Sequence, residues 1–236
     1  MARELEIVRE VDLDAPPHDV WDAVTTATAA WFWPLAFEPR VGGAVTGGGT
    51  VLAWDPPHQV TGRHEGPDSW FNEVSETITP LDGDRSRLRW EHTGVLAEDA
   101  ERQRESAEEH TDLYLHTLGE YLAHFRGRPV AYSSVDAPAV SNNPGALEWL
   151  LRRLGVSGLG VGDATVTTLV TRVERVEVDY ARPNFVGLRT DHSLVRLFGR
   201  NAYGSPVGVS VHDFAEGADA DATTSRWTEW LAAVYA

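Results

Sequence analysis

Residues 69–94 constrain the fold of this chain more than any other stretch. Two runs that alternate with period two, 69–80 and 85–94, flank the turn Leu81-Asp82-Gly83-Asp84. That pattern predicts a β-hairpin, because Gly83 can take a positive φ without steric cost and the aspartates hydrogen-bond their own backbone. Trp70, Asn72, Val74, Glu76 and Ile78 fall on one face of the first strand, and Leu88, Trp90 and His92 on one face of the second. A face that mixes apolar bulk with a few polar groups suits the wall of a ligand cavity better than a dry core.

The rest of the first half supplies elements for such a wall. Residues 4–14 alternate as a half-buried strand, with Leu5, Ile7, Val11 and Leu13 on one face and acidic residues on the other; Arg9 is the exception on the apolar face. Pro16-Pro17 ends this strand and opens a short helix through Val20, Ala23 and Val24. An aromatic cluster, Trp31-Phe32-Trp33, stops at Pro34. The glycines at 42–43 and 47–49 read as tight turns; no Gly-Lys-Ser/Thr follows them, so they are not a phosphate loop. The charged stretch 97–109 reads as a solvated loop or helix start. A helix over about 106–126 then carries the stripe Tyr114, Leu115, Leu118, Tyr121, Leu122 and Phe125, with Gly127 and Pro129 as stop signals. His116, Glu120 and His124 share the opposite face, read here as exposed and polar rather than as a metal site.

A second pass through the same order of elements follows. A strand at 130–136 leads to a helix with Asn143 as N-cap, Leu147, Leu150, Leu151 and Leu154 as its stripe, and Gly155 as its stop. Strands are expected at about 164–180, 185–190, 194–200 and 205–213, then a helix bearing Trp227, Trp230, Leu231 and Val234. Trp149 lies off its helix's leucine stripe, which predicts cover from the first half or from a second chain. The expected fold class is α+β in two domains, 1–128 and 129–236, the second an abbreviated, diverged copy with no counterpart of the cluster at 31–33.

Composition excludes whole classes of chemistry. The net charge of −16 over 236 residues argues against nucleic acid and anionic membranes as partners. Cysteine is absent, which removes disulfides, thiolate catalysis and thiolate metal sites. All 20 basic residues are arginine, so no lysine can form a Schiff base. No cofactor and no metal is expected. With no signal-like segment and no long apolar run, the default location is cytoplasmic.

The first 128 residues resemble the SRPBCC, or START-like, superfamily, in the branch named after the activator of heat-shock protein 90 ATPase. The resemblance is carried by Val11-Asp-Leu-Asp-Ala-Pro-Pro-His-Asp-Val-Trp21, Trp31-Phe-Trp33, Arg40-Val-Gly-Gly43, Ala53-Trp-Asp-Pro-Pro-His58, Arg87-Leu-Arg-Trp-Glu-His-Thr-Gly94 and His110 through Leu122. The second half is weakly similar through its last strands and Trp-rich helix. The resemblance implies a helix-grip fold, in which an antiparallel sheet curves round a long C-terminal helix over a cavity. It implies little about activity, since members bind lipids, hormones or polyketides, act as cyclases, or assist a chaperone.

The candidate ligand contacts are Trp33, Trp54, Trp70, Asn72, Glu76, Trp90, His92, Tyr114 and Leu118. Arg9 is the candidate charge partner of Glu76, because a buried carboxylate needs one. No residue is assigned as catalytic; Glu76 and His92 are the candidates for acid–base work should there be a reaction. The leading expectation is a module that binds a small, mainly apolar molecule. The alternatives are a cyclase- or hydrolase-type enzyme and a chaperone-associated interaction protein; a homodimer or a chaperone contact stays open.

Overall fold

Alternating acids on one strand and arginines on another set the first sheet. The first unit runs β1 (Arg3–Leu13), α1 (Pro17–Thr25), β2 (Ala44–Val45), β3 (Gly49–Asp55), β4 (Gln59–Glu65), β5 (Phe71–Leu81), β6 (Arg85–Leu96) and α2 (Ala100–His124). On the outer face Asp12 stands opposite Arg87 and Glu10 opposite Arg89. Arg87 donates to both carboxylate oxygens of Asp12, at 2.6 and 3.0 Å, and holds that carboxyl below its usual pKa. A one-residue slip would break this ladder and turn Leu5, Ile7 and Leu13 to water, so the register is doubly fixed.

The computed structural model describes residues 3–96, 99–170 and 172–236, which divide into two compact units, Met1–Arg126 and Gly127–Ala236. The first unit's sheet is antiparallel in the order β1-β6-β5-β4-β3-β2. The hairpin lies where the alternation puts it, with Leu81 paired to Arg85 around Asp82-Gly83-Asp84. Gly83 and Asp84 both take positive φ, 74° and 57°. The sheet grips α2, whose Leu113, Leu115, Leu118, Tyr121 and Leu122 are buried.

Helix α2 starts at Ala100, six residues before the expected 106; positions 97 and 98 of the expected loop lie outside the described residues. The segment after Asp99 is rich in Glu, Arg, Gln and Ala, all good helix formers, so of the two readings of this charged stretch, loop or helix start, the helix start holds from Ala100. Ala100 packs with Leu5, Ile7 and Leu96. Arg104 donates to the carbonyls of Glu4, at 2.6 Å, and Glu6, at 3.5 Å, covering the edge strand β1. On the face of His116, Glu120 and His124, His124 is exposed as expected while His116 and Glu120 are half-buried, and both imidazoles approach the Glu120 carboxylate, at 3.9 and 3.6 Å. No group of three or more His, Asp or Glu side chains among the described residues is arranged to hold a metal ion.

The second unit repeats the topology. It runs β7 (Ala131–Asp136), α3 (Ala146–Arg153), β8 (Ala164–Leu169), β9 (Arg172–Arg182), β10 (Phe185–Arg189), β11 (Ser193–Phe198), β12 (Gly208–Asp213) and α4 (Ala220–Val234). Its sheet order, β7-β12-β11-β10-β9-β8, matches the first strand for strand. The strand number is kept, but the final helix is 15 residues against 25, and β7, β11 and β12 have 6 residues each where β1, β5 and β6 have 11, 11 and 12.

Two local expectations need correction. The stretch 164–180 is two strands, turning after Leu169 through Val170, whose φ is 58°; position 171 lies outside the described residues. Helix α3 is preceded by Gly145 in the left-handed region, not capped by Asn143, whose side chain donates to the Val140 carbonyl instead. Trp149 is 48% exposed, and its indole N–H donates to the Val234 carbonyl at 2.9 Å, near the end of α4.

Candidate functional site

A hollow of about 610 Å³ lies between the inner face of β4–β6 and α2 in the first unit. Its walls come from four segments. The sheet gives Gly62, Val74, Glu76 and Trp90; α2 gives Ala107, Thr111 and Tyr114; the stretch after α1 gives Trp31, Phe32 and Phe37; and the turn Thr46–Gly48 borders it with His64.

Local packing explains why the aromatics do not fill this space. The Trp31 indole donates to the Ala23 carbonyl at 2.9 Å, which ties it back to α1. Phe32 stacks on Trp33, with ring centroids 3.4 Å apart, and meets Tyr114 edge-on at 4.6 Å. Trp90 touches Trp31 and Phe32 edge-on, at 6.3 and 6.0 Å, and keeps its ring at the wall. Trp33 and Trp70, each 41% exposed, stand at the open side. Gly62 lacks the Cβ that would press on Phe37, 3.4 Å away. His64 is bonded through Nε2 to the Thr46 carbonyl at 2.9 Å, which fixes the glycine turn.

Three polar groups sit on the hairpin's inner face. His92 Nε2 lies 2.5 Å from Asn72 Oδ1. With the amide oxygen as acceptor, Nε2 carries the proton and Nδ1 the lone pair. Burial lowers the pKa of His92, which keeps it neutral at pH 7. Glu76 is 6% exposed, and burial alone raises its pKa to about 8. Glu76 and Trp90 are directly opposed in register. The Trp90 indole N–H is sealed from solvent without a partner among the described residues.

Of the residues singled out from sequence, Trp33, Trp70, Asn72, Glu76, Trp90, His92 and Tyr114 border one hollow. Trp54 and Leu118 do not. Trp54 is covered by Trp21 of α1, edge-on at 5.0 Å, and by Phe37. Leu118 is wholly buried one helical turn beyond Tyr114, where the hollow has closed. Arg9 is not the partner of Glu76: its Nε donates to Asp112 of α2 at 2.7 Å. In the register Trp90 stands between Arg9 and Glu76, and an indole fills the gap the guanidinium would have to cross. Sequence reasoning missed Phe32, Phe37, His64 and His110; Phe32 alone carried a signal, the cluster at 31–33.

No protein-family model matches the chain, and no curated protein matches it. Among solved structures it is similar to protein MLL2253 from Mesorhizobium loti, at 24% identity over 51% of this chain and 98% of that one, with a TM-score of 0.43. DynU16, from the dynemicin biosynthetic locus, matches at 18% identity over 97% of this chain and 96% of its own, with a TM-score of 0.44. PFC0360w, an HSP90 activator from Plasmodium falciparum, matches at 15% identity over 50% and 96%, with a TM-score of 0.42.

The second unit has a smaller hollow, about 300 Å³, under the start of its last helix, where Thr223, Arg226 and Trp227 of α4 face Glu174, Val195 and Asp213 of the sheet. Leu147, Leu150 and Leu154 of α3 and Trp227 and Leu231 of α4 pack with the sheet's valines and leucines in one continuous core. No helix among the described residues is long and apolar enough to cross a membrane.

Proposed function

We propose that the first unit binds a small, mainly apolar molecule in the hollow between its sheet and α2, and that the second unit is a diverged duplicate whose corresponding space is smaller, about 300 Å³, and lined by charged groups such as Arg172, Glu174, Asp213 and Arg226. The observation that carries this reading is the volume, about 610 Å³, left open by aromatic side chains that are each held against a wall. That size falls within the range of small-molecule sites, and the mixture of aromatic walls with few polar groups is their usual lining. An acid–base reaction is less well supported, because Asn72 occupies Nε2 of His92 and leaves only Nδ1 for a substrate.

Native mass spectrometry of protein purified from its own host tests the reading. The expected spectrum shows an added small-molecule mass that is released on denaturation and is missing from Val74→Trp, which fills the hollow. Bare protein mass in both samples would contradict it.

A further inference from the structure

Glu76 sits in the wall of the hollow, is 6% exposed, and has no hydrogen-bond or ion-pair partner among the described residues. A buried carboxyl in that state is expensive unless something else satisfies it. The charged group in its cross-strand row, Arg9, is engaged by Asp112. The other titratable groups facing the hollow are His92 on β6, His64 and Glu65 on β4, and His110 and Tyr114 on α2, and none of them bonds Glu76. The stretch from α1 to Phe37 brings only Val24, Thr28 and apolar or aromatic side chains.

We infer that the molecule held in this hollow is uncharged and carries a carbonyl or hydroxyl oxygen at its buried end, placed to bond the Glu76 carboxyl. This rests on the binding reading above and specifies its ligand class. A pure hydrocarbon would leave the carboxyl unsatisfied. An amine would require Glu76 to ionise, and a carboxylate offers about four lone-pair sites. No protein donor serves any of them here, so a buried ion pair would be poorly supported. An anion would meet a second acidic group. A neutral oxygen asks only for what a protonated carboxyl offers, one O–H donor and one acceptor. Burial favours that form, with the pKa pushed up to about 8.

The test uses three naphthalenes of one shape on the full chain: 2-acetylnaphthalene, 2-ethylnaphthalene and 1-(2-naphthyl)ethylamine. Affinities are measured by calorimetry for wild type, Glu76→Gln and Glu76→Leu. The ratio of ketone to hydrocarbon affinity should fall about tenfold in Glu76→Leu and by less than about threefold in Glu76→Gln, whose amide still donates. In wild type the ketone's affinity should also fall as pH rises through about 8, and Glu76→Gln should lack that step. This pH comparison decides the matter if Glu76→Leu does not fold. An unchanged ratio with no pH step overturns the inference and leaves the binding reading standing. An amine that binds tightest, and is lost in Glu76→Gln, overturns it in favour of a cationic ligand. Failure of all three probes to bind overturns both.

Discussion

Glu76 and Trp90 stand directly opposite each other on β5 and β6, and neither has a hydrogen-bond partner among the described residues. Both face a hollow rather than a packed core. Arg9 continues the same cross-strand row but is drawn over to Asp112 on α2, which leaves the middle of the row polar and unpaired. Most buried polar groups in native proteins are satisfied, and these two are exceptions among the described residues.

Replacing Glu76 by Gln should change the pH dependence of stability. The folded pKa, about 8, lies above the ordinary glutamate value of 4.5, so this carboxyl's contribution is fully present below about 4.5 and is lost as pH rises to about 8. At about 1.36 kcal/mol per pKa unit, the loss between pH 5 and pH 9 is of the order of 4 kcal/mol as an upper bound. Urea unfolding at the two pH values should show Glu76→Gln gaining on wild type by a few kcal/mol at pH 9. Parallel pH profiles would refute the burial of an unpaired carboxyl.

His92 should behave in the opposite sense. Its folded pKa is depressed by burial, so its contribution is present above the unfolded value near 6.5 and is lost as pH falls through the folded pKa. NMR should find the His92 ring neutral at pH 6.5, with the proton on Nε2. Asn72→Ala removes the acceptor and should cost about 1 kcal/mol.

The Arg9–Asp112 bridge should matter little. Its side chains are 33% and 45% exposed. A double-mutant cycle with alanine at both positions should give a coupling below about 1 kcal/mol that shrinks in added salt. A much larger coupling would mean that the bridge, rather than apolar packing, holds β1 to α2.

In the second unit, Gly187→Ala should be severe. A Cβ there would overlap Asp179 Oδ1 and lie 2.6 Å from Arg196 Nη1, the two groups of a buried ion pair 2.9 Å long. A loss of about 3 kcal/mol or more is expected in chemical denaturation, since a buried pair tolerates little displacement. A loss under about 1 kcal/mol would show that the pair moves freely.

The hairpin and its inner face were legible because period-two alternation survives from Phe71 to Leu96, and every residue on that face keeps its side. The helix stripe was legible for the same reason at period 3.6. The exact start of α2 was not, because a run of charged helix formers reads equally as a loop or a helix start until Ala100 is seen against Leu5 and Leu96. Phe37 and His64 were invisible because their place depends on a glycine turn and a side-chain bond to the Thr46 carbonyl, which no local period encodes. Trp54 misled: it faces inward, but Trp21 from a different element reaches it first.

The central claim is the hollow itself, and crystals of the full chain pressurised with xenon test it most directly, because an apolar cavity takes up xenon. Xenon peaks are expected inside the space bounded by Phe32, Val74, Trp90 and Tyr114. A structure in which these side chains close on one another, with no xenon between them, would contradict it.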